Sequence, residues 1–333
     1  NAATGIEAEF AHMAFPNITD IVTTTLANRS GIIADNVTNN NIILAKLNEG
    51  GRIKTFSGGR LIYQEIAFAK NANGGWYTGY DVLPVGAQDV ISAAEFGIKQ
   101  YAVPVVISGL EQLQNSGREQ ITDLMEERTG VAESTMANDI STGLYSDGLG
   151  SGGKQIVGLD AAVPAVPTTG TYGGIDRSQT ANTFWRPQIT TAATTLANVQ
   201  SQMSAMWAKC SRGKDTPDMI LMGNTFWGFW MASLQAMQRL TDPGTAKLGF
   251  ASTRFMNADC FLDGGIGGAA TAANAYFLNS KYIHFRPHKD RNMVPLAPNK
   301  RYAINQDSEV SILAFAGALT MSGSQFQGRI AGA

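Results

Sequence analysis

The chain has 333 residues and a mass of 35.5 kDa, with 44% hydrophobic and 16% charged residues. That length allows one large domain or two to three modest ones, with ample buried core. A formal charge of −2, from 25 basic and 27 acidic side chains, does not mark a dedicated polyanion binder. The charged fraction lies well below the roughly 25% usual in soluble domains, so either other features keep the surface soluble or other subunits cover much of it. Gly is abundant at 36 residues, and with normal apolar content this points to loops and turns rather than disorder. Cys210 and Cys260 cannot form a disulfide framework and read as reduced core residues in an intracellular setting. No stretch reaches the roughly 18 apolar residues of a membrane helix. The start lacks a signal-peptide layout, and Asn1 in place of Met fits a processed or a trimmed chain equally.

In chain order, Ile18, Ile21, Val22, Thr25, Leu26 and Arg29 follow helical spacing behind Asn17. Ile42, Ile43, Leu44 and Leu47 form a short apolar run that ends at Gly50-Gly51. Residues 60–70 are rich in Ile, Tyr and Phe, Asn71-Ala72-Asn73-Gly74-Gly75 supplies turn chemistry, and strand character resumes over 76–82. Neither face of this hairpin is cleanly apolar. A two-stranded hairpin of that kind is marginal alone, so it is expected to be an arm that needs a partner surface. Ser108-Gly109-Leu110-Glu111 is a capping box opening a short helix. A long helix is expected over 118–145, about 40 Å at 1.5 Å per residue, with one stripe through Met125, Met136, Ile140 and Leu144. Residues 146–184 show no good periodicity. A second helix is expected from Ile189, Ala193, Leu196, Val199, Met203, Met206, Trp207 and Cys210, then a short buried strand at 219–222. Asn224 is expected to cap a third helix with Phe226, Phe229, Trp230, Leu234, Met237 and Leu240 inward. Strands are expected near Phe255, 260–262, 276–278, 283–285 and 310–321. The class is α+β.

Chemistry-bearing motifs fail one by one. Gly148-Leu149-Gly150-Ser151-Gly152-Gly153-Lys154-Gln155 nearly spells a phosphate-binding loop, but Gln155 stands where a magnesium-ligating Ser or Thr is needed, and a helix rather than a strand precedes it. Gly265-Ile266-Gly267-Gly268-Ala269-Ala270 fits a dinucleotide fingerprint without a βαβ unit around it. His12, His284 and His288 are the only histidines, and Pro287 with β-type surroundings excludes a helical zinc pair. There is no G-x-S-x-G elbow. No catalytic residue, metal or cofactor is expected. The aromatics and Met at Trp207, Phe226, Trp227, Phe229, Trp230 and Met231 read first as core and second as a subunit contact.

A series of segments does stand out. It begins with residues 50–60 (Gly-Gly-Arg-Ile-Lys-Thr-Phe-Ser-Gly-Gly-Arg) and Tyr77-Thr78-Gly79-Tyr80-Asp81, followed by 101–117, Tyr-Ala-Val-Pro-Val-Val-Ile-Ser-Gly-Leu-Glu-Gln-Leu-Gln-Asn-Ser-Gly. It continues through Gly173-Gly174-Ile175-Asp176-Arg177-Ser178, Phe184-Trp185-Arg186, Asp290-Arg291-Asn292-Met293-Val294-Pro295 and a closing strand near 310–327. In this order, over roughly residues 17–330, the chain resembles the major capsid proteins of tailed bacteriophages.

The resemblance implies the Hong Kong 97-like phage capsid fold. It divides the chain into an N-terminal arm (1–48), an extended β-hairpin loop (49–86), a peripheral domain (87–212 and 310–333) with spine helix 118–145, and an axial domain (213–309). It implies a structural protein that assembles as pentamers and hexamers into an icosahedral shell around double-stranded DNA in the bacterial host cytoplasm. Portal, scaffolding or decoration proteins are the further partners. DNA is expected to be touched loosely, given the near-zero charge and absence of a basic tail, and no membrane is involved. Contact candidates are Arg52, Lys54, Arg60, Trp76, Tyr77 and Tyr80 in the loop, with Glu126 and Glu127 of the spine helix as partners by charge sign. Some relatives join Lys to Asn between subunits; Lys54 and Lys70 flank the loop, but no motif singles out a reacting set, and no cross-link is expected. A nanocompartment of the same fold, and a soluble enzyme using the Gly-rich loops, are the rival readings.

Overall fold

The computed structural model describes residues 41–114, 118–234, 252–264, 270–296, 301–302 and 307–332. The helix expected around Ile18 and the contacts of Met237 and Leu240 lie outside them. Helix α1 (Ile42–Glu49) opens on Asn41, whose extended backbone lets Oδ1 accept the Leu44 N–H at 3.0 Å. Its residues Ile42, Ile43, Leu44, Ala45 and Leu47 are buried. The end of the range assigned to an arm is therefore core. The chain then turns through Gly51, at φ +64 where Gly is favoured.

Four strands, drawn from two distant stretches of the sequence, make one sheet. Strand β3 (Lys99–Ser108) pairs antiparallel with β13 (Ser308–Met321), from Lys99 opposite Gly317 to Ser108 opposite Ser308. On the other edge of β13 lie β11 (Ile283–Pro295) and the short β12 (Arg301–Tyr302). Residues 52–56 extend this sheet as a strap beside β11. Lys54 N–H donates to the Phe285 carbonyl at 3.0 Å, and Phe56 N–H to that of Pro287 at 3.2 Å.

Strand β1 (Leu61–Ala67) does form, but its partner is β2 (Ile91–Gly97), from Leu61 opposite Gly97 to Ala67 opposite Ile91. The strand expected at 76–82 is absent. Gly79 and Pro84 interrupt any ladder there, whereas Ala94 and Phe96 give β2 an alternating core face. The hairpin thus has a two-stranded stem and a long strandless loop, 68–90.

The capping box closes as expected. Ser108 Oγ accepts the Glu111 N–H and Glu111 Oε2 accepts the Ser108 N–H, at 3.3 and 3.1 Å, opening α2 (Gly109–Gln114). Helix α3 (Arg118–Tyr145) matches the expected spine helix, with Ala132, Met136, Ile140 and Leu144 buried at helical spacing. Arg128 ties it to α2 through Glu111 Oε1 at 2.6 Å and to β3 through the Val106 carbonyl.

Past β4 (Thr171–Tyr172) and β5 (Ile175–Asp176), strand β6 (Gln188–Thr190) corrects the second expected helix. Only α4 (Val199–Cys210) is helical. The Thr-rich residues 190–195 disfavour the earlier turns, and Ile189 instead sits in a parallel pair with β14 (Gly328–Ala331). With β7 (Met219–Met222), β8 (Ser252–Phe255), β9 (Ala258–Leu262) and β10 (Asn274–Leu278), these make a six-stranded sheet ordered β6-β14-β10-β7-β9-β8. Both its faces are covered. Ile220 and Met222 meet α4 and α5 (Asn224–Ser233) in one core, and Met219 and Leu221 join the larger core below. The four-residue apolar run of β7 follows from that double burial. Because β14 sits in this sheet and β11 pairs with β13, the two sheets do not divide at residues 212 and 309.

Candidate subunit-contact surface

The loop 68–90 is the most exposed stretch of the described chain. Trp76 and Tyr80 are fully exposed, Val82 and Val85 more than nine-tenths so, and Tyr77 and Leu83 more than half. Burying a single such side chain is worth about 1.5–3 kcal/mol, and scattered exposed residues are ordinary, but six within ten positions form a concentrated apolar patch. The loop keeps a defined neck. Phe68 N–H donates to the Val90 carbonyl at 3.1 Å, and Asn73 Nδ2 donates to the Gly86 carbonyl at 2.5 Å. Asp81 accepts from the Thr78 N–H and hydroxyl at the tip, which holds its carboxyl below the ordinary range.

At the root of the loop the candidates separate. Arg52 is half-buried with Nε unpartnered, and Lys54 and Arg60 are exposed. Arg52 and Lys54 stand beside His284, whose pKa is pushed down to about 4 by burial and then by Lys54, Arg286 and Arg52. Trp76 and Tyr80, fully exposed, pack against none of these. Glu126 and Glu127 lie on α3, their side chains outside the described residues. His284 and Arg286 were missed from sequence because the parallel strap pairing between residues 53 and 285 leaves no local pattern.

A second exposed apolar strip lies on the helical side of β3. Val106, Leu110 and Val131 are 44–66% exposed around the seam of β3, α2 and α3, and a shallow groove of about 240 Å³ runs there between Pro104, Val106, Arg128 and Val131. On α3 the buried stripe runs through Ala132 and leaves its neighbour Val131 outside.

Of the two glycine-rich segments, only the one at 148–155 falls wholly within the described residues. Gly148, Gly152 and Gly153 adopt positive φ in a turn that follows α3, and Lys99 Nζ donates to the Gly153 carbonyl. Gly265 to Ala269 lie outside the described residues. Cys210 and Cys260 are free and buried, with Cys210 raised to about 12 by burial. Among the described residues no group of three His, Cys, Asp or Glu could hold a metal ion, and no helix is long and apolar enough to cross a membrane.

The segments 173–178 and 184–186 prove to be one structural unit. Arg177, 2% exposed, donates to the carbonyls of Ala161, Ala162 and Trp185. Arg186 Nε in turn donates to the Arg177 carbonyl at 2.8 Å. Burial lowers the Arg177 pKa to about 10, still cationic at neutral pH.

The architecture has solved counterparts. It is similar to the subunit in the cyanophage A-1(L) capsid asymmetric unit, with a TM-score of 0.60 at 17% identity over 84% of this chain and 89% of that one. The chain has the phage-capsid fold. The capsids of empty and native GTA particles match with TM-scores of 0.54 and 0.53 at 12% and 10% identity, over 84–85% of this chain and 88–89% of those chains. No family model and no curated protein sequence matches it. Identities this low speak for the fold, which is the Hong Kong 97-like arrangement implied by the series of segments.

Proposed function

We propose that the chain is the major capsid protein of a tailed bacteriophage, a structural rather than catalytic subunit that closes into an icosahedral shell through pentamers and hexamers. The observation that carries this reading is the loop 68–90, which presents six exposed apolar side chains on a tied neck, with no face among the described residues to cover them. On a fold otherwise found in capsid subunits, a second copy is the surface it fits. The loop crosses to that copy, with Trp76, Tyr77 and Tyr80 as its apolar contacts. The strip at Val106, Leu110 and Val131 is the receiving groove. Arg52, Lys54 and Arg60 face the acidic Glu126 and Glu127 of the neighbour's spine helix. The low charged fraction of the sequence follows, since shell contacts cover much of each subunit. Residues around β7 to β10 cluster at the symmetry axes, and the sheet of β3, β11 and β13 forms the periphery. The shell is formed in the host cytoplasm, and packaged DNA is held without specific contacts, with portal and scaffolding or decoration proteins as further partners.

The test is the particle mass of the purified protein by sedimentation, with negative-stain images beside it. Closed megadalton shells, or pentamers and hexamers awaiting a scaffold, are the expected result. A stable 35.5 kDa monomer at high concentration overturns the reading.

A further inference from the structure

The strap 52–56 and strand β11 form a short parallel ladder whose two faces differ in chemistry. Ile53 and Phe285, bridged across it, both pack against the larger core. Side chains alternate along extended chain, so Arg52, Lys54, His284 and Arg286 occupy the opposite face. All four are basic. Among the described residues none of them pairs with a carboxylate. Arg286 donates instead to Thr320 Oγ1 at 3.2 Å and Gln64 Oε1 at 2.6 Å. Two nitrogens are buried here without a partner, Nε of Arg52 and Nδ1 of His284, and His284 is 6% exposed.

The neighbouring strands bring no counter-charge among the described residues, and on α1, which packs against β11, Glu49 is taken up by Lys46 at 2.9 Å. On β13 the residue opposite His284 is Thr320. On β1 the half-buried residue is Gln64, while Glu65 is exposed. Further along the ladder Phe56 and His288 meet edge-on at 5.0 Å, and His288 Nδ1 accepts the Asp290 N–H at 3.1 Å, with Asp290 itself exposed. Like charges gathered beside a buried imidazole are unfavourable unless an anion offsets them, and the exposed Lys54 and half-buried Arg52 are the members that an anion can approach.

We propose that this face is an oxyanion site at the root of the extended loop, filled in the assembly by a carboxylate from a second copy of the chain. This rests on the capsid reading for the source of the anion, but the site itself does not. A guanidinium and an ammonium side by side suit a two-oxygen acceptor. A second copy is the favoured source because the loop that rises from this root carries the bare apolar patch, so the copy covering that patch stands against the root as well. Spine-helix residues Glu126 and Glu127 offer the matching charge. A bound carboxylate would offset the three cations that depress His284, so His284 reports occupancy.

The experiment is a histidine NMR titration of the full, unassembled chain, in which only three histidines appear and an H284N variant assigns the signal. Inorganic phosphate is the probe, against chloride at matched ionic strength. Phosphate is expected to shift the His284 signal and raise its pKa by about one pH unit, and R52Q/K54Q is expected to abolish the response while His284 still titrates as a folded residue. An equal response to chloride, or none to phosphate, overturns the site. The source is tested by assembly. R52E/K54E is expected to block particle formation and E126K/E127K to restore it in the same chain. Failure of that charge exchange to restore particles, with phosphate binding intact, overturns the second copy as source, and a wild-type chain that never forms particles indicts the capsid reading instead.

Discussion

The guanidinium of Arg177 lies 4.9 Å from the ring centroid of Tyr172 and within hydrogen-bond reach of three backbone carbonyls. Tyr172 is itself buried, accepts the Trp185 indole N–H through its carbonyl at 2.9 Å, and stacks on that ring. One cation therefore closes the irregular region between α3 and α4, where regular secondary structure is too short to satisfy its own carbonyls. Arg177→Met should leave those three carbonyls without donors and cost about 3 kcal/mol. Urea denaturation of the unassembled chain measures this, and a loss below about 1 kcal/mol would show that water replaces the guanidinium. Arg177→Lys should recover only part, because one ammonium cannot serve three divergent acceptors.

His284 gives the fold an acid sensitivity with a definite sign. Its folded pKa of about 4 lies below the ordinary 6.5, so the unfolded chain binds the proton more readily. The associated stability is complete above about pH 6.5 and is lost as pH falls toward 4. At about 1.4 kcal/mol per pH unit the loss reaches at most about 3 kcal/mol. Carboxylates titrate in the same window, so the measurement is the difference between the wild type and His284→Gln across pH 4 to 7. The variant should show the shallower decline, and parallel curves would remove His284 from the account.

What could be read from the sequence divides along physical lines. The spine helix, the capping box of α2 and β7 were legible because their signals are local: 3.6-residue spacing, a reciprocal Ser108–Glu111 pair, and an unbroken apolar run. The partner of β1 was not, since Asn71 to Gly75 looks like a turn and the true pairing closes over the 23-residue loop 68–90. The short strand at Ile189 was hidden in the same way, because a parallel pair with Ile330's neighbour Arg329 is set by residues far away in sequence. Of the contact candidates, the exposure of Trp76, Tyr77 and Tyr80 could be argued from a hairpin with no apolar face. The basic face could not, because Arg52 and His284 meet only through the strap.

Gly223 illustrates a close approach that composition does not reveal. It stands at the N-cap of α5, and a Cβ there would collide with the Thr271 carbonyl and the Ala272 backbone. Those atoms belong to the turn into β10, whose Asn274 carbonyl accepts the Gly223 N–H at 3.0 Å. Backbone cannot swing aside as a flexible side chain can. Gly223→Ala should destabilise by about 2–3 kcal/mol, seen as a lower Tm of the unassembled chain. By contrast Gly228→Ala, on the exposed side of the same helix with open space around it, should be neutral or slightly stabilising. Equal effects at the two sites would refute the packing argument.

The loop offers the opposite separation, of folding from assembly. Trp76 and Tyr80 make no core contact and are fully exposed, so Trp76→Ala with Tyr80→Ala should change the stability of the isolated chain by less than about 0.5 kcal/mol. If these rings are the loop's anchors on a second copy, each removes about 1–2 kcal/mol of contact energy, and the subunit concentration needed for particles should rise about tenfold or more. Light scattering across a dilution series reads that threshold, and a denaturant titration on the same sample reads stability. A shell repeats each contact many times over, so even the smaller loss should be visible as a failure to close. Unchanged thresholds with unchanged stability would mean that the most exposed aromatics among the described residues serve neither the fold nor the shell.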